Sequence, residues 1–430
     1  MNQGTKTARG LSWPVVLCWI TIMLDGFDLV VLGTVIPTLN GTGELGFNPA
    51  ASTFVATIGL VGVGLGAILI GPIADSRGRR MPLLVCVALF SVATLAIAWS
   101  PNVAAFGVFR FLAGLGLGAC LPTVLAYMSE FTPAERSGRG TTLTMTGYHV
   151  GAVLTALLAL VVIPDWRMMF VIGGIAGLIV LPIIALKLPE SESFLLARER
   201  TAAGHEDPPA ASTATKTLLR SPYALISIGI CVASFMGLLL VYGLNTWLPE
   251  IMRKAGYDLG QGLTLLLLLN VGAVVGLVLA GSLADRNGTK KITLVWFGLA
   301  ALFLAALSIR LDGMLLVYIA VFITGIFVFS AQVLVYAYVS QLYPVQAKGT
   351  ALGMAAGVGR AGAISGPFIL GTLVTAGIAY PWGFYAFSAA AVIAVIAIAF
   401  LPKNAPTIKA QSEAPVKTQP EAHEPAESAV

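Results

Sequence analysis

Two aspartates and one arginine lie inside stretches of sequence that are otherwise apolar. Asp25 and Asp28 are three residues apart in the first such stretch. Arg360 lies among several glycines in a stretch near the C-terminal end of the chain. A charge at the centre of a bilayer costs at least ~2.5 kcal/mol, so each group needs a partner, a proton or a water-filled cavity. The spacing places both carboxylates on one face of a helix. These residues therefore predict a site for charged cargo within the membrane.

The three groups have complementary chemistry. A guanidinium stays protonated and can bind a carboxylate through two hydrogen bonds, so we predict that Arg360 binds an anionic substrate. A buried carboxylate can take up and release a proton, so we predict that Asp25 or Asp28 carries a coupled proton. Structural alternatives stay open, because either aspartate could simply pair with a neighbouring cation, Arg360 included.

Further polar residues lie in the same apolar stretches. Arg110 could balance the carboxylates or serve packing, and His149 could relay protons or only be hydrogen-bonded. Aromatic and amide side chains at similar depth could bind an aromatic ring and its substituents. As substrate contacts we predict Phe27, Tyr148, Tyr242, Asn245 and Tyr336.

The chain that carries these residues has the composition of a polytopic membrane protein. Of 430 residues, 57% are hydrophobic and 10% are charged, whereas soluble domains are about 25% charged. Apolar runs long enough to cross a bilayer recur twelve times and predict an all-α protein. They cover roughly 14–36, 52–73, 81–100, 103–128, 139–163, 166–187, 222–247, 260–284, 289–309, 313–340, 347–377 and 380–401.

The distribution of Lys and Arg predicts the orientation. With the N-terminus in the cytoplasm, most of these residues fall in cytoplasmic loops, so we expect both termini in the cytoplasm and the chain in the cytoplasmic membrane. The first apolar run is too long for the core of a signal peptide and is interpreted as a retained span. The net charge of +5 follows from these loops, so no nucleic-acid partner is predicted.

The two halves of the chain repeat each other. Residues 71–80 match 281–291 at an offset of 281 − 71 = 210, residues 139–145 match 348–354 at 348 − 139 = 209, and Tyr127 matches Tyr338 at 338 − 127 = 211. Six spans in each half predict parallel repeats, which are two six-helix bundles related by a pseudo-two-fold axis along the membrane normal. The predicted units are an N-terminal bundle 1–187, a cytoplasmic linker 188–221, a C-terminal bundle 222–402 and a disordered tail 403–430.

The loop at 71–80 resembles the G-x-L-A-D-R-x-G-R-[RK] signature of the major facilitator superfamily, with Ile73 for Leu and Ser76 for Arg. The resemblance implies alternating access and a gate of ion pairs at the cytoplasmic helix ends. A cluster of charges that only sets topology is the alternative. The gating residues implied are Asp75, Arg79, Arg80, Asp285 and Arg286.

A narrower resemblance rests on residues 25–28, Tyr343-Pro344 and 357–363, which look like the aromatic acid:proton symporter family. It implies proton-coupled uptake of a benzoate or hydroxybenzoate type acid. A symporter for another small organic anion, such as an aliphatic or cyclic carboxylate, is the alternative, and a receptor without transport also stays open.

No metal-ligand spacing, nucleotide loop or nucleophile with a base is visible, so no enzyme, metal or cofactor is predicted. We expect a monomer in the lipid bilayer.

Overall fold

The computed structural model describes residues 13–131, 137–191, 223–310, 313–343 and 345–403, with a few isolated residues of the linker. The side chains of 71–76, 125–126, 128–131, 137–144 and 345–346 lie outside this description. The predicted linker and tail are therefore almost wholly outside the described residues. Within these ranges the chain forms helices and no strand.

Twelve helices of the described chain are each long and apolar enough to cross a membrane. The predicted all-α fold of twelve spans is confirmed. The helices are α1 (Trp13–Thr42), α2 (Pro49–Arg77), α3 (Arg80–Ile97), α4 (Val103–Phe131), α5 (Ser137–Val162), α6 (Trp166–Lys187), α7 (Tyr223–Lys254), α8 (Leu259–Asn287), α9 (Thr289–Ala306), α10 (Met314–Leu342), α11 (Val345–Thr375) and α12 (Ala379–Ala399).

The repeated sequence signature forms the same turn in both halves. Gly78 follows α2 with φ of 82°, and Gly288 follows α8 with φ of 88°. Only glycine adopts such angles at little cost, so this residue type ends the helix and turns the chain into the next one. The equivalence of the two turns agrees with the repeat seen in the sequence.

The helices pack into two six-helix bundles with equivalent contacts. In the first bundle α1 packs on α5, α2 on α4, and α3 on α4 and α6. In the second, α7 packs on α11, α8 on α10, and α9 on α10 and α12. Between the bundles α1 meets α7, α2 meets α11 and α5 meets α8. Each contact has a partner six helices later, so the predicted pseudo-two-fold arrangement is confirmed.

The two bundles touch at the end that carries the α1–α2 loop. A methyl group added at Gly371 of α11 would lie 2.0 Å from the Thr53 hydroxyl of α2. A methyl group added at Gly64 of α2 would lie 3.7 Å from the Ile364 side chain of α11. Residues 360, 364 and 371 recur at helical spacing, so they share one face. The face that carries Arg360 is therefore closed towards the α1–α2 end.

The same face of α11 is open towards the opposite, α2–α3 end. Gly349, Gly353 and Gly357 precede Arg360 at helical spacing and are exposed. Apart from the neighbouring turns of α11 itself, no described residue lies within 4 Å of a methyl group added at any of them. The space between the bundles is therefore a chamber that opens to one end, with Arg360 near its closed end.

Candidate functional site

Asp28 is held in a closed ion pair within the N-terminal bundle. Its carboxylate accepts hydrogen bonds from Arg110 Nη1 on α4 and from Thr94 Oγ1 on α3. Arg110 Nη2 also donates to the Asp28 carbonyl at 2.9 Å. Asp28 is 2% exposed and Arg110 is 5% exposed. The two charges compensate each other, and the added hydrogen bonds help to offset the cost of burying them.

Asp25, one turn earlier on α1, has no comparable partner. It is 4% exposed, and within the described chain no cation lies within 4.0 Å and no hydrogen bond reaches its carboxylate. Its electrostatic neighbours are Arg360 and Asp28. A methyl group at Gly26 would lie 2.0 Å from the Tyr148 carbonyl, so glycine there lets α5 approach α1 and brings Tyr148 beside Asp25.

Arg360 enters the same region from the C-terminal bundle. Its Nη1 donates to the Tyr242 hydroxyl of α7 at 2.9 Å. Among the described residues no carboxylate lies within 4.0 Å of it. A methyl group at Gly362 would lie 2.0 Å from the Phe235 carbonyl, so the backbones of α11 and α7 are in contact. This contact fixes the main-chain position of Arg360.

Five of the predicted residues meet here from five helices. Tyr148 is an electrostatic neighbour of Asp25, Tyr242 and Arg360, and Tyr336 of α10 is a neighbour of Tyr242 and Arg360. Among the described residues, the structure thus brings to one place a carboxylate without an ion-pair contact, a guanidinium without a carboxylate contact and three phenol rings.

A polar network adjoins this group at the junction of α5, α7 and α8. Asn270 Nδ2 donates to Asn245 Oδ1 at 3.0 Å and to the Leu266 carbonyl at 3.1 Å. His149 faces Asn270, and its ring meets the Phe329 ring edge-on at 5.1 Å between centroids. Asn245 lies one turn after Tyr242 on α7, so the network continues the phenol-lined surface.

A narrow cavity links the two arginine environments. It lies at the junction of α1, α2, α4 and α7 and is lined by both Arg110 and Tyr242, with Gly114 and Thr246 among the remaining residues. The closed pair of Asp28 and Arg110 therefore borders the group around Arg360 without being part of it.

This arrangement can bind an anion and hold a proton. A guanidinium that lacks a carboxylate partner can accept a carboxylate from solution in a bidentate geometry. Phenol rings beside it offer faces for another ring. A buried carboxylate with no compensating contact is a group that can exchange a proton.

The sequence model of the Major Facilitator Superfamily matches residues 18–367 and, in a second match, 264–426. The chain belongs to the Major Facilitator Superfamily. It is a membrane transporter and not an enzyme, and the resemblance found in the loop at 71–80 is confirmed.

Similar proteins place the chain within the superfamily. It is 36% identical to a gentisate transporter of Corynebacterium glutamicum, with 93% of this chain and 90% of the relative covered. It is 31% identical to a benzoate transport protein of Acinetobacter baylyi, with 89% and 88% covered. The chain is thus a member of the aromatic acid transporters. A D-xylose-proton symporter structure has a TM-score of 0.74 at 18% identity, covering 90% of this chain and 97% of that one, which shows the shared fold.

The predicted gating residues of this transporter differ in their surroundings. In the first repeat, the Glu190 carboxylate accepts hydrogen bonds from the backbone N–H groups of Arg79 at 2.8 Å and Arg80 at 3.1 Å. Arg80 Nη2 donates to the Ala185 carbonyl of α6. The loop after α2 is therefore tied to the end of α6. The side chain of Asp75 lies outside the described residues.

In the second repeat, Asp285 and Arg286 are exposed. Neither forms an ion pair or a hydrogen bond with another residue of the described chain. The transporter thus carries one anchored loop and one whose charges face solvent, although both loops have the same turn.

The structure does not bring Phe27 to the group around Arg360. Its ring lies 2.6 Å from a methyl group added at Gly173 of α6, inside the N-terminal bundle. The sequence did not single out two partners of the predicted residues, namely Thr94, which bonds to Asp28, and Glu190, which bonds to the loop after α2. Thr94 carries no local signal, whereas Glu190 does, since it is an acid that directly follows Pro189 at the end of the sixth span.

Proposed function

We propose that this transporter carries out proton-coupled uptake of a small aromatic carboxylic acid of the benzoate or hydroxybenzoate type by alternating access. The observation that carries the proposal is Arg360, a half-buried cation that has no carboxylate partner among the described residues and lies among phenol rings near the closed end of a chamber. The names of the gentisate and benzoate relatives support the same substrate class.

In the proposed binding mode, the substrate carboxylate supplies the counter-charge that Arg360 lacks. The ring then lies among Tyr148, Tyr242 and Tyr336, where aromatic contacts contribute about 0.5–1.5 kcal/mol each beyond burial. An aliphatic acid gains the charge interaction and the burial of its apolar surface but not the aromatic contacts. The site therefore favours an aromatic monocarboxylate over the alternative of another small organic anion.

The proposed proton carrier is Asp25 and not Asp28. Arg110 compensates Asp28, whereas the charge of Asp25 is opposed only by Arg360 among its electrostatic neighbours. When a substrate anion occupies Arg360, Asp25 loses that compensation and takes a proton. Because each event favours the other, the acid and the proton bind together, which is the condition for symport.

Alternating access requires that the bundles exchange their contacts. In this structure the bundles meet at the α1–α2 end, so opening there separates Thr53 from Gly371 and Asn245 from Gly33. With the orientation predicted from Lys and Arg, the chain lies in the cytoplasmic membrane with both termini inside, and this state faces the cytoplasm. A monomer contains the whole site.

The test is uptake of labelled benzoate by the purified protein in liposomes that are acidic outside and alkaline inside. Benzoic acid also crosses lipid unaided, so protein-free liposomes and liposomes with Arg360→Lys give the passive rate. We expect faster accumulation than in both controls, abolished by a protonophore, and competition by 4-hydroxybenzoate well before cyclohexanecarboxylate.

Three outcomes oppose the proposal. Stronger competition by aliphatic or cyclic acids supports the alternative anion. Binding without accumulation supports a receptor. Accumulation that ignores the pH gradient removes proton coupling.

A further inference from the structure

Four buried polar atoms that have no hydrogen-bond partner among the described residues lie together beside the proposed substrate site. They are Tyr148 Oη, His149 Nδ1, Asn245 Nδ2 and Asn270 Oδ1. Asn245 and Asn270 are 2% and 0% exposed, and His149 is 6% exposed. A buried polar group left unpaired costs roughly 1–3 kcal/mol, so four in one place need an explanation.

The four atoms belong to one cluster. Asn270 donates to Asn245 at 3.0 Å and thereby joins α8 to α7. Tyr148 faces Asn245 and His149 faces Asn270, but neither pair reaches hydrogen-bond geometry. The cluster therefore spans both bundles.

The unpaired atoms of the two asparagines comprise one hydrogen-bond donor and one acceptor. Asn245 offers amide hydrogens and Asn270 offers a carbonyl oxygen. If both amides were rotated, Asn245 would offer the oxygen and Asn270 the hydrogens, so the pair keeps one donor and one acceptor either way. A hydroxyl group, which both accepts and donates, satisfies such a pair, whereas a carboxylate can only accept.

The cluster lies where a ring substituent would reach. Asn245 follows Tyr242 by one turn on the same face of α7, and Tyr242 holds Arg360. Tyr148 neighbours Arg360 and Asp25 as well as Asn245. An acid whose carboxylate is bound by Arg360 can thus direct the far side of its ring towards Asn245 and Asn270.

We propose that Tyr148, His149, Asn245 and Asn270 form a subsite for a neutral hydrogen-bonding substituent of the ring, above all a hydroxyl. The inference rests on the proposed function and adds a preference for hydroxylated acids to it. The four atoms are closed to solvent here, and Tyr148, the half-buried member of the four, turns aside to admit the substituent.

The test compares affinities and not rates. The dissociation constants of benzoate, 4-hydroxybenzoate, gentisate and terephthalate are measured on the purified wild-type protein and on Asn270→Leu. Of 4-hydroxybenzoate and gentisate, we expect the one with the higher affinity to bind the wild type about tenfold more tightly than benzoate, in line with one or two hydrogen bonds. Terephthalate, with a second carboxylate, binds less tightly than benzoate. In Asn270→Leu the ratio between the hydroxylated acid and benzoate falls to about one.

Gln332→Leu is the matched control. Gln332 is also a buried amide with an unpaired oxygen, but its nitrogen donates to Ser234 at 3.1 Å and not to a member of the cluster. It should keep the wild-type ratio. The double variant Asn245→Leu with Asn270→Leu removes both partners of their mutual hydrogen bond. It therefore avoids misfolding that would result from leaving one buried amide unpaired.

The possible failures are distinct. Wild-type protein that binds benzoate through Arg360 without preferring either hydroxylated acid overturns the subsite and leaves the proposed function intact. Equal losses for all acids in Asn270→Leu also overturn it, since they indicate a contact that only holds the bundles together. If the wild type binds no aromatic acid, both proposals fall.

Discussion

Arg110 and Arg360 are two arginines within spans, and their surroundings are opposite. Arg110 is buried, whereas Arg360 is half-buried. Arg110 binds the Asp28 carboxylate and carbonyl, and its charge is compensated inside one bundle. Arg360 binds a phenol hydroxyl and has no carboxylate within 4.0 Å in the described chain. A compensated cation can stabilise a bundle, whereas an uncompensated one is ready to bind an anion.

The repeat shows that neither arginine belongs to the common scaffold. Moving Arg360 back by the offset of 209 gives residue 151, which is Gly151, and moving Arg110 forward by 211 gives Val321. Gly151 lets α5 close on α1, since a methyl group there would lie 1.9 Å from the Met23 carbonyl. The helices obey the symmetry, and the charges break it. A chamber between symmetric bundles thus presents its cation from one side only.

The largest expected effect is on stability and concerns the closed pair. Asp28→Asn leaves Arg110 buried without a counter-charge, which should lower the free energy of unfolding by about 3–5 kcal/mol. Replacing both partners, as in Asp28→Leu with Arg110→Met, should restore most of it, because the buried charge is gone. Thermal unfolding in detergent measures both variants. A single variant as stable as the wild type would show that the pair contributes nothing to the fold.

The second effect concerns transport. Arg360→Lys keeps the charge but loses the planar fork, so uptake per folded molecule should fall about 100-fold while the melting temperature stays close to that of the wild type. Arg110→Lys should show the reverse pattern, with lower stability and uptake per folded molecule largely kept. Uptake and thermal unfolding measured on the same preparations decide it. Identical profiles for the two variants would remove the distinction between the arginines.

The sequence was sufficient to predict the scaffold and the residue types of the site. Apolar runs gave the twelve spans, and the repeated glycine turn gave the two bundles. The sequence could not rank Asp25 and Asp28, because the partners of Asp28 lie 82 and 66 residues away, on α4 and α3. Distant contacts of this kind depend on how helices rotate against each other, and local spacing does not determine that.

Phe27 shows that some of this information was available. Successive helical residues are about 100° apart, so Phe27 points about 200° away from Asp25 around α1. Its position against Gly173 of α6 follows from that angle. The unpaired atoms of Asn245 and Asn270 could not be predicted from the sequence, because an unpaired group is recognised only once its neighbours are known.

The third effect separates binding from coupling. Asp25→Asn should lose accumulation driven by the pH gradient, about tenfold per pH unit if one proton moves with each anion. Exchange of labelled for unlabelled benzoate should persist, because Arg360 still binds the acid. Glu250→Gln is the matched control, as Glu250 is a fully buried carboxylate paired with Arg253 at 2.8 Å. Accumulation by Asp25→Asn that still follows the pH gradient would assign the proton elsewhere.

The smallest effect tests how far substrate binding by Arg360 depends on the one side-chain hydrogen bond that it forms within the described chain. Tyr242→Phe keeps the ring and removes the hydroxyl that accepts from Arg360 at 2.9 Å. The guanidinium loses one fixed orientation but keeps its charge and its packing on α7, so the dissociation constant of benzoate should rise only about threefold to tenfold, or roughly 1 kcal/mol. Tyr223→Phe, which removes a hydroxyl from a tyrosine stacked on Tyr343, should leave it unchanged. A loss in Tyr242→Phe as large as that in Arg360→Lys would mean that the phenol, and not the free charge, defines the site.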